Sequence, residues 1–195
     1  MSDRKAVGAV LLTTFRGDHR MRSLLLPIIA ASTLFPTGSV LRPTQKPLDD
    51  ATIVAIFDAA NTYDIETGEL ALKKSHTKDV RDLAQQFVND HKAVRQQGRD
   101  LAKKLSVTPT APEHLDLADA HAKAMAELRG KSGRDFDRAY AAHEVAFHQA
   151  VLDAVQGTLL PAIKNAELKA FVEKVGPAFQ GHLEAAKQLQ KRLTA

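Results

Sequence analysis

From residue 49 onward, apolar residues recur at alternating steps of three and four, which is the feature that most constrains the fold of this chain. That spacing places side chains on one face of an α-helix. No segment shows the strict apolar–polar alternation of a half-buried strand. The pattern therefore predicts an all-α fold with five helices. The first begins at Asp49 or Asp50 and ends at a break at Ser75–Thr77, and the second follows the break and ends at about Leu105. The other three run from Thr110 to about Arg129, from Ser132 to Gly157, and from Asn165 onward.

Two helical hairpins joined by a crossover account for this order of helices. The fold we predict is a four-helix bundle with a short additional helix in the crossover. Helix starts are marked by Thr110-Ala-Pro-Glu113, a capping box, and by the cap residues Ser132 and Asn165. Gly157 and Pro161 mark the end of the fourth helix.

The N-terminal part reads as an export signal. Met21-Arg22-Ser23 is followed by the apolar run Leu24–Phe35, which is too short to span a bilayer comfortably. We predict a targeting segment over residues 1–38, with Met21 as the true start, a linker over 39–48 and the bundle domain over 49–195. The mature protein would be periplasmic or associated with the outer membrane, with no transmembrane span and an unidentified envelope partner.

Charge and cysteine content exclude two classes of function. Of the 27 basic and 23 acidic side chains, five and two fall in residues 1–38, which leaves 22 and 21 for the rest. These are interspersed, whereas a nucleic-acid surface needs clustered positive charge, so we predict no nucleic-acid partner. The absence of cysteine removes disulfides, thiolate metal ligands and cysteine nucleophiles.

Three of the eight histidines lie within apolar stripes, each on a different predicted helix: His91, His148 and His182. On the first helix, the line through Tyr63 places Glu66 on the buried side as well. A buried carboxylate is costly without a cation or hydrogen-bond donors. One ligand from each long helix is how bundle cores hold metals, so these four residues are the candidate ligands of a divalent metal ion.

Two other interpretations of these residues stay open. A buried Glu–His hydrogen-bond network needs no metal, and the bundle would then be a structural or partner-binding protein whose histidines serve packing or pH sensing. Alternatively, three imidazoles and a carboxylate can hold a redox metal, which would make the protein a mononuclear oxidoreductase. No nucleophile elbow, phosphate loop or HExxH motif is present, and no catalytic residue is predicted.

Several short motifs resemble those of domain of unknown function 4142, a bacterial family described as outer-membrane or periplasmic proteins with a ferritin-like helical bundle. They are ETGELALKKS from Glu66, FVNDHK from Phe87, FDRAY from Phe136 ahead of His148, and Pro177 followed by His182-Leu183. The resemblance covers roughly residues 50–193 and implies a ferritin-like bundle.

The resemblance also carries the family's characteristic positions onto Glu66, Asp90-His91, His148 and His182. Phe147 stands where members usually have Asp. A di-iron site of the ferritin-like type needs two Glu-x-x-His pairs. Val and Phe occupy the positions three before the histidines, which disfavours di-iron chemistry. The leading hypothesis is therefore a non-catalytic or stress-linked metal-binding envelope protein.

Export is directly testable. A chain that begins at Met21 should be cleaved and recovered from the periplasmic fraction, with its mature N-terminus between about Ser32 and Arg42, because signal peptidase cuts shortly after the apolar run. N-terminal sequencing of the recovered protein measures this. Recovery of the intact 195-residue chain from the cytosol would contradict it.

Overall fold

The alternating three- and four-residue spacing forms helices, as predicted. The computed structural model describes residues 48–112 and 116–195, and these ranges contain no β-strand. Five helices follow in order: α1 (Asp50–Lys74), α2 (Lys78–Lys104), α3 (Asp116–Arg129), α4 (Gly133–Ala154) and α5 (Ala166–Thr194). The all-α prediction is thus confirmed.

The order of the helices in space is that of a ferritin-like bundle. α1 packs chiefly against α2, and α4 against α5; the two hairpins meet through α2 with α5 and α1 with α4. Asp79 near the start of α2 bonds Arg192 near the end of α5, and Ser75 after α1 bonds Asp137 at the start of α4. α2 and α4 therefore run in the same direction, and the crossover carrying α3 traverses the bundle.

Two carboxylates fix the bundle at its two ends. At one end, Asp50 accepts the backbone N–H of Asn165 at 2.9 Å, which ties the start of α1 to the start of α5. At the other end, Asp137 accepts the hydroxyls of Ser75 at 2.6 Å and of Thr77 at 2.5 Å. Hydrogen bonds to ionised groups are the stronger kind, so these contacts hold the register of the hairpins.

The N-caps predicted for the last two helices are confirmed only in part. Asn165 caps α5 as predicted, since its side-chain oxygen accepts the N–H groups of Glu167 and Leu168. Ser132 occupies the N-cap position of α4, although its side chain makes no capping hydrogen bond. Asn165 therefore contributes both a cap and the contact with Asp50.

The crossover helix begins later than predicted. Thr110 lies in non-helical chain, and α3 is helical from Asp116. The backbone N–H of Thr110 donates to the carbonyl of Ala51 at 3.1 Å. This contact with α1 holds the chain extended there, so the capping box does not start a helix at Thr110; its Glu113 lies outside the described residues.

The fourth helix continues past Gly157 and ends at Ala162, next to Pro161, the second of the two residues predicted to close it. Beyond Ala154 it consists of a π-helical turn, Val155–Leu159, and a short α-helical segment, Leu160–Ala162. Val155 and Leu159 are buried in an apolar cluster at this end of the bundle. Their burial offsets the modest preference of glycine against helix.

The predicted targeting segment, residues 1–38, and the linker up to residue 47 lie outside the described residues. None of the helices in the described ranges is long and apolar enough to cross a membrane.

α1 and α2 pack tightly at Gly68. A Cβ atom added there would lie 2.6 Å from Cγ2 of Val88, closer than carbon atoms can pack, and 3.3 Å from the backbone carbonyl oxygen of Ala84. Glycine at this position lets α2 pack against α1 without this clash. Because of this contact, the helical turn of α1 that precedes Gly68 lies opposite the helical turn of α2 that follows Val88.

The buried stripes predict the cost of truncating core residues. Phe87→Ala and Leu152→Ala should each lower the free energy of unfolding by roughly 2–5 kcal/mol, since truncation leaves a cavity in a packed core. Phe87 is fully buried and Leu152 nearly so. Denaturant unfolding measures the change.

Gln86→Ala is the matched control, because Gln86 precedes Phe87 on the exposed face of α2. It should change stability by less than about 0.5 kcal/mol. If Phe87→Ala and Leu152→Ala also change stability by less than about 0.5 kcal/mol, the buried faces are wrongly assigned.

Candidate metal centre

Three histidines from three helices meet in the core. His91 on α2, His148 on α4 and His182 on α5 are each less than 5% exposed, and a ring nitrogen of each lies within 4.8 Å of the others. Phe87 packs on His182 with ring centroids 4.4 Å apart. Phe179 stacks on His91 at 5.4 Å. Aromatic rings thus hold the three imidazoles between them.

The proton of His91 is assigned by its neighbour. Nδ1 lies 2.9 Å from the side-chain oxygen of Asn61. The Asn61 amide nitrogen donates to the carbonyl of Phe57 at 2.8 Å, which orients its oxygen toward the histidine. Since that oxygen can only accept, His91 donates from Nδ1 and carries its lone pair on Nε2.

The protons of the other two rings are assigned in the same way. Nδ1 of His148 donates to the backbone carbonyl of Glu144 at 3.0 Å. Nε2 of His182 lies 3.0 Å from the carboxylate of Asp90 and donates to it, since a charge-assisted bond is the stronger choice for a single ring proton. The free lone pairs are therefore Nε2 of His148 and Nδ1 of His182.

Two of these lone pairs face a buried carboxyl group, that of Asp64, and the third faces His91. Nδ1 of His182 faces Nε2 of His91 at 3.2 Å. The carboxyl oxygens of Asp64 lie 3.5 Å from Nε2 of His91 and 3.6 Å from Nε2 of His148. Nε2 of His148 has no hydrogen-bond partner among the described residues, and the Asp64 oxygens receive no N–H or hydroxyl hydrogen bond there. The Glu144 carboxyl, when protonated, can donate to Asp64. Imidazoles and carboxyl groups at this spacing are groups that could hold a metal ion.

Burial sets the protonation states of these groups. Desolvation lowers the pKa of His91 to about 2 and that of His148 to about 3. Burial also lowers the pKa of His182, although Asp90 opposes the effect. Burial raises the pKa of Asp64 to about 7, with the Glu144 carboxyl partly offsetting it. At neutral pH the site therefore presents three uncharged imidazoles and a carboxyl ready to ionise.

A second buried carboxyl group, that of Glu144, lies close to that of Asp64. Glu144 is fully buried, and one of its oxygens accepts the hydroxyl of Thr67 at 3.2 Å. Burial and the charge of Asp64 raise the pKa of Glu144 well above its ordinary value. Carboxyl oxygens of Asp64 and Glu144 and a ring nitrogen of His148 all lie within 4.8 Å of one another. Glu144 is thus a neighbour of the ligand set that the sequence did not reveal.

Glu66 is not part of this cluster, and its predicted inward position is wrong. Its side chain is 49% exposed and bonds Nε2 of His121 at 2.7 Å. Tyr63 stacks on the same histidine, with ring centroids 4.2 Å apart. A step of two residues turns an α-helix by about 200°, so Glu66 faces away from the side on which Asp64 lies.

Asp64, rather than Glu66, is the residue of α1 whose carboxyl group lies beside the histidines. The buried face of α1 follows steps of four and three through Phe57, Asn61, Asp64, Gly68 and Ala71. Because three of these residues are not apolar, a stripe traced through apolar residues alone misses them. Reading the spacing without regard to residue type would have found the carboxyl.

The proton assignments predict a pH response. In the metal-free protein, His91 and His148 should remain uncharged at about pH 5, with the proton on Nδ1, because burial holds each pKa far below its unfolded value. Long-range ¹H–¹⁵N NMR of the ring nitrogens measures both properties. Since the unfolded chain takes up these protons near pH 6.5, the histidines should make the metal-free fold less stable as pH falls below that value. A proton on Nε2 of His148 would contradict the assignment.

Comparison with known proteins agrees with the fold. A structure described as CopM in the Cu(II)-bound form superposes with a TM-score of 0.56 at 16% sequence identity, over 74% of this chain and 98% of that one. At this identity the likeness shows a shared helical fold. No match was found among the curated proteins. The family profile of domain of unknown function 4142 matches residues 36–189, and the chain belongs to this family.

Proposed function

We propose that this protein binds a first-row transition-metal ion in the core of the bundle. The ligands are Nε2 of His91, Nε2 of His148, Nδ1 of His182 and a carboxylate oxygen of Asp64. The observation that carries the proposal is the meeting of the three histidines, two of whose lone pairs lie 3.5 and 3.6 Å from the carboxyl oxygens of Asp64.

The groups around the ligands support the same conclusion. A histidine that binds a metal usually donates its other N–H to a carbonyl or carboxylate, which fixes the tautomer and the ring orientation. His91 has Asn61 in this role, His148 has the carbonyl of Glu144, and His182 has Asp90. All three rings are therefore oriented for coordination before any ion arrives.

A network without metal explains the geometry less well. With neutral rings, Nε2 of His91 and Nδ1 of His182 would face each other at 3.2 Å with no proton between them. Protonation of one ring would relieve this repulsion, but burial lowers the pKa of both. A cation between the two atoms relieves it at neutral pH.

The donor set favours an imidazole-binding metal. Three imidazoles with one carboxylate suit zinc and copper(II) better than magnesium or calcium, which prefer all-oxygen sites. The structurally similar protein is described as Cu(II)-bound, so copper(II) and zinc are the first ions to test. Sequestration of such an ion outside the cytoplasm, after export directed by residues 1–38, is the role we assign to the protein.

Metal binding should stabilise the fold. Excess Zn²⁺ or Cu²⁺ should raise the melting temperature, since an ion at one hundred times its Kd adds about 2.7 kcal/mol to the free energy of unfolding. His91→Ala should abolish the rise. Asp64→Asn should reduce it, because the amide retains the shape but loses the charge. Thermal unfolding with and without ion measures these effects.

Glu66→Gln is the matched control, since Glu66 lies two residues from Asp64 but on the surface. It should keep the full thermal rise. In the unaltered protein, metal affinity should fall as pH drops below about 7, where protons compete for Asp64; Asp64→Asn should lack that dependence. A rise that survives His91→Ala, or that Glu66→Gln removes, would refute the proposed site.

A further inference from the structure

An apolar cavity reaches the proposed metal site from the side. Its volume is about 440 Å³, and its inner wall includes Asn61, His91 and His148. We infer that this cavity binds a small, uncharged, mostly apolar organic molecule whose single donor atom coordinates the metal. This inference rests on the proposed metal site and names the class of ligand that the site would take.

The walls determine the chemistry of the occupant. They are formed mainly by apolar side chains from α1, α4 and α5, among them Ile56, Val151, Leu159 and Phe179. Asp116, which also lines the cavity, is exposed at the surface. A charged molecule would lose its hydration against such walls without compensation. Apolar walls with a few polar groups at one end are typical of sites for small organic ligands.

The π-helical turn supports a ligand site at this position. The N–H of Leu160 bonds the carbonyl of Val155, a step of five residues that widens the helix. Val155, Thr158 and Leu159 of this turn line the cavity. Single π-helical turns inside α-helices are rare and occur frequently at functional sites.

Coordination by the occupant is compatible with the ligand set. Four protein ligands leave room for a fifth, since imidazole-bound metals readily accept five-coordination. Because His91 and His148 line both the cavity and the proposed centre, a molecule seated in the cavity would lie against two of the proposed ligands. The volume is near the lower end of the range for ligand pockets, about 300–1,000 Å³, and suits a substituted aromatic ring.

The test uses the full chain loaded with Co²⁺, whose visible absorption reports its coordination. Imidazole and 4-phenylimidazole offer the same donor atom, but the second also carries an apolar ring. We expect 4-phenylimidazole to bind about tenfold more tightly or better, because burial of the ring adds apolar contact. Titration of the cobalt bands with each compound measures the ratio.

Two neighbouring residues on α1 provide matched variants. Ala60→Phe fills this cavity and should remove the preference for the phenyl compound. Ala59→Phe projects into a separate cavity that contains none of the three histidines, and should keep the preference. Ala154→Phe, at an exposed wall position on α4, replaces Ala60→Phe if that variant does not fold.

The outcomes separate this inference from the proposed function. If the unaltered chain develops no cobalt bands, the metal site itself is refuted, and the inference with it. Normal bands with equal affinity for the two compounds overturn the cavity proposal alone. A preference that persists in the cavity-filling variant that folds likewise overturns it.

Discussion

A carboxyl group buried in a protein core costs several kcal/mol unless hydrogen-bond donors or a cation offset its lost hydration. Asp64 is 1% exposed, and the hydrogen bond that offsets its desolvation comes from Glu144, itself a buried carboxyl group. The ring nitrogens of His91 and His148 that face Asp64 carry lone pairs, which repel a carboxylate rather than stabilise it. The Asp64 carboxylate therefore has little to balance its charge among the described residues, and the metal ion that we propose would balance it.

The proposed ligand set would link the stability of the fold to the ion. Each of the four long helices would contribute one ligand, so the proposed site forms only when both hairpins are docked. The contacts of Asp50 and Asp137 fix that docking at the two ends of the bundle, and the rings of Phe87 and Phe179 fix it near the site. Because the unfolded chain cannot gather these ligands, binding energy becomes folding energy.

Helix order and the three histidines were predictable because both depend on spacing alone. A side chain at the right step of a long helix faces the core whatever its neighbours do. The carboxyl ligand was not found because Asn61, Asp64 and Gly68 interrupt the apolar pattern of α1, and the line through Tyr63 looked more continuous. The residues on that line face α3 instead, and Glu66 is hydrogen-bonded there to His121. The position of α3 depends on tertiary contacts that no local pattern records.

Gly68 carries a consequence for ion selectivity. It lies one turn from Asp64 on α1, and its contact Val88 lies one turn from His91 on α2. The distance between the carboxyl group of Asp64 and the ring of His91 therefore depends on a residue that has no side chain. A methyl group at position 68 would meet Val88, so that either this side chain or the helices would have to shift, and the span between the two proposed ligands would change. The width of the proposed coordination sphere, and with it the ionic radius that would fit, therefore depends on the absence of a side chain one helical turn away.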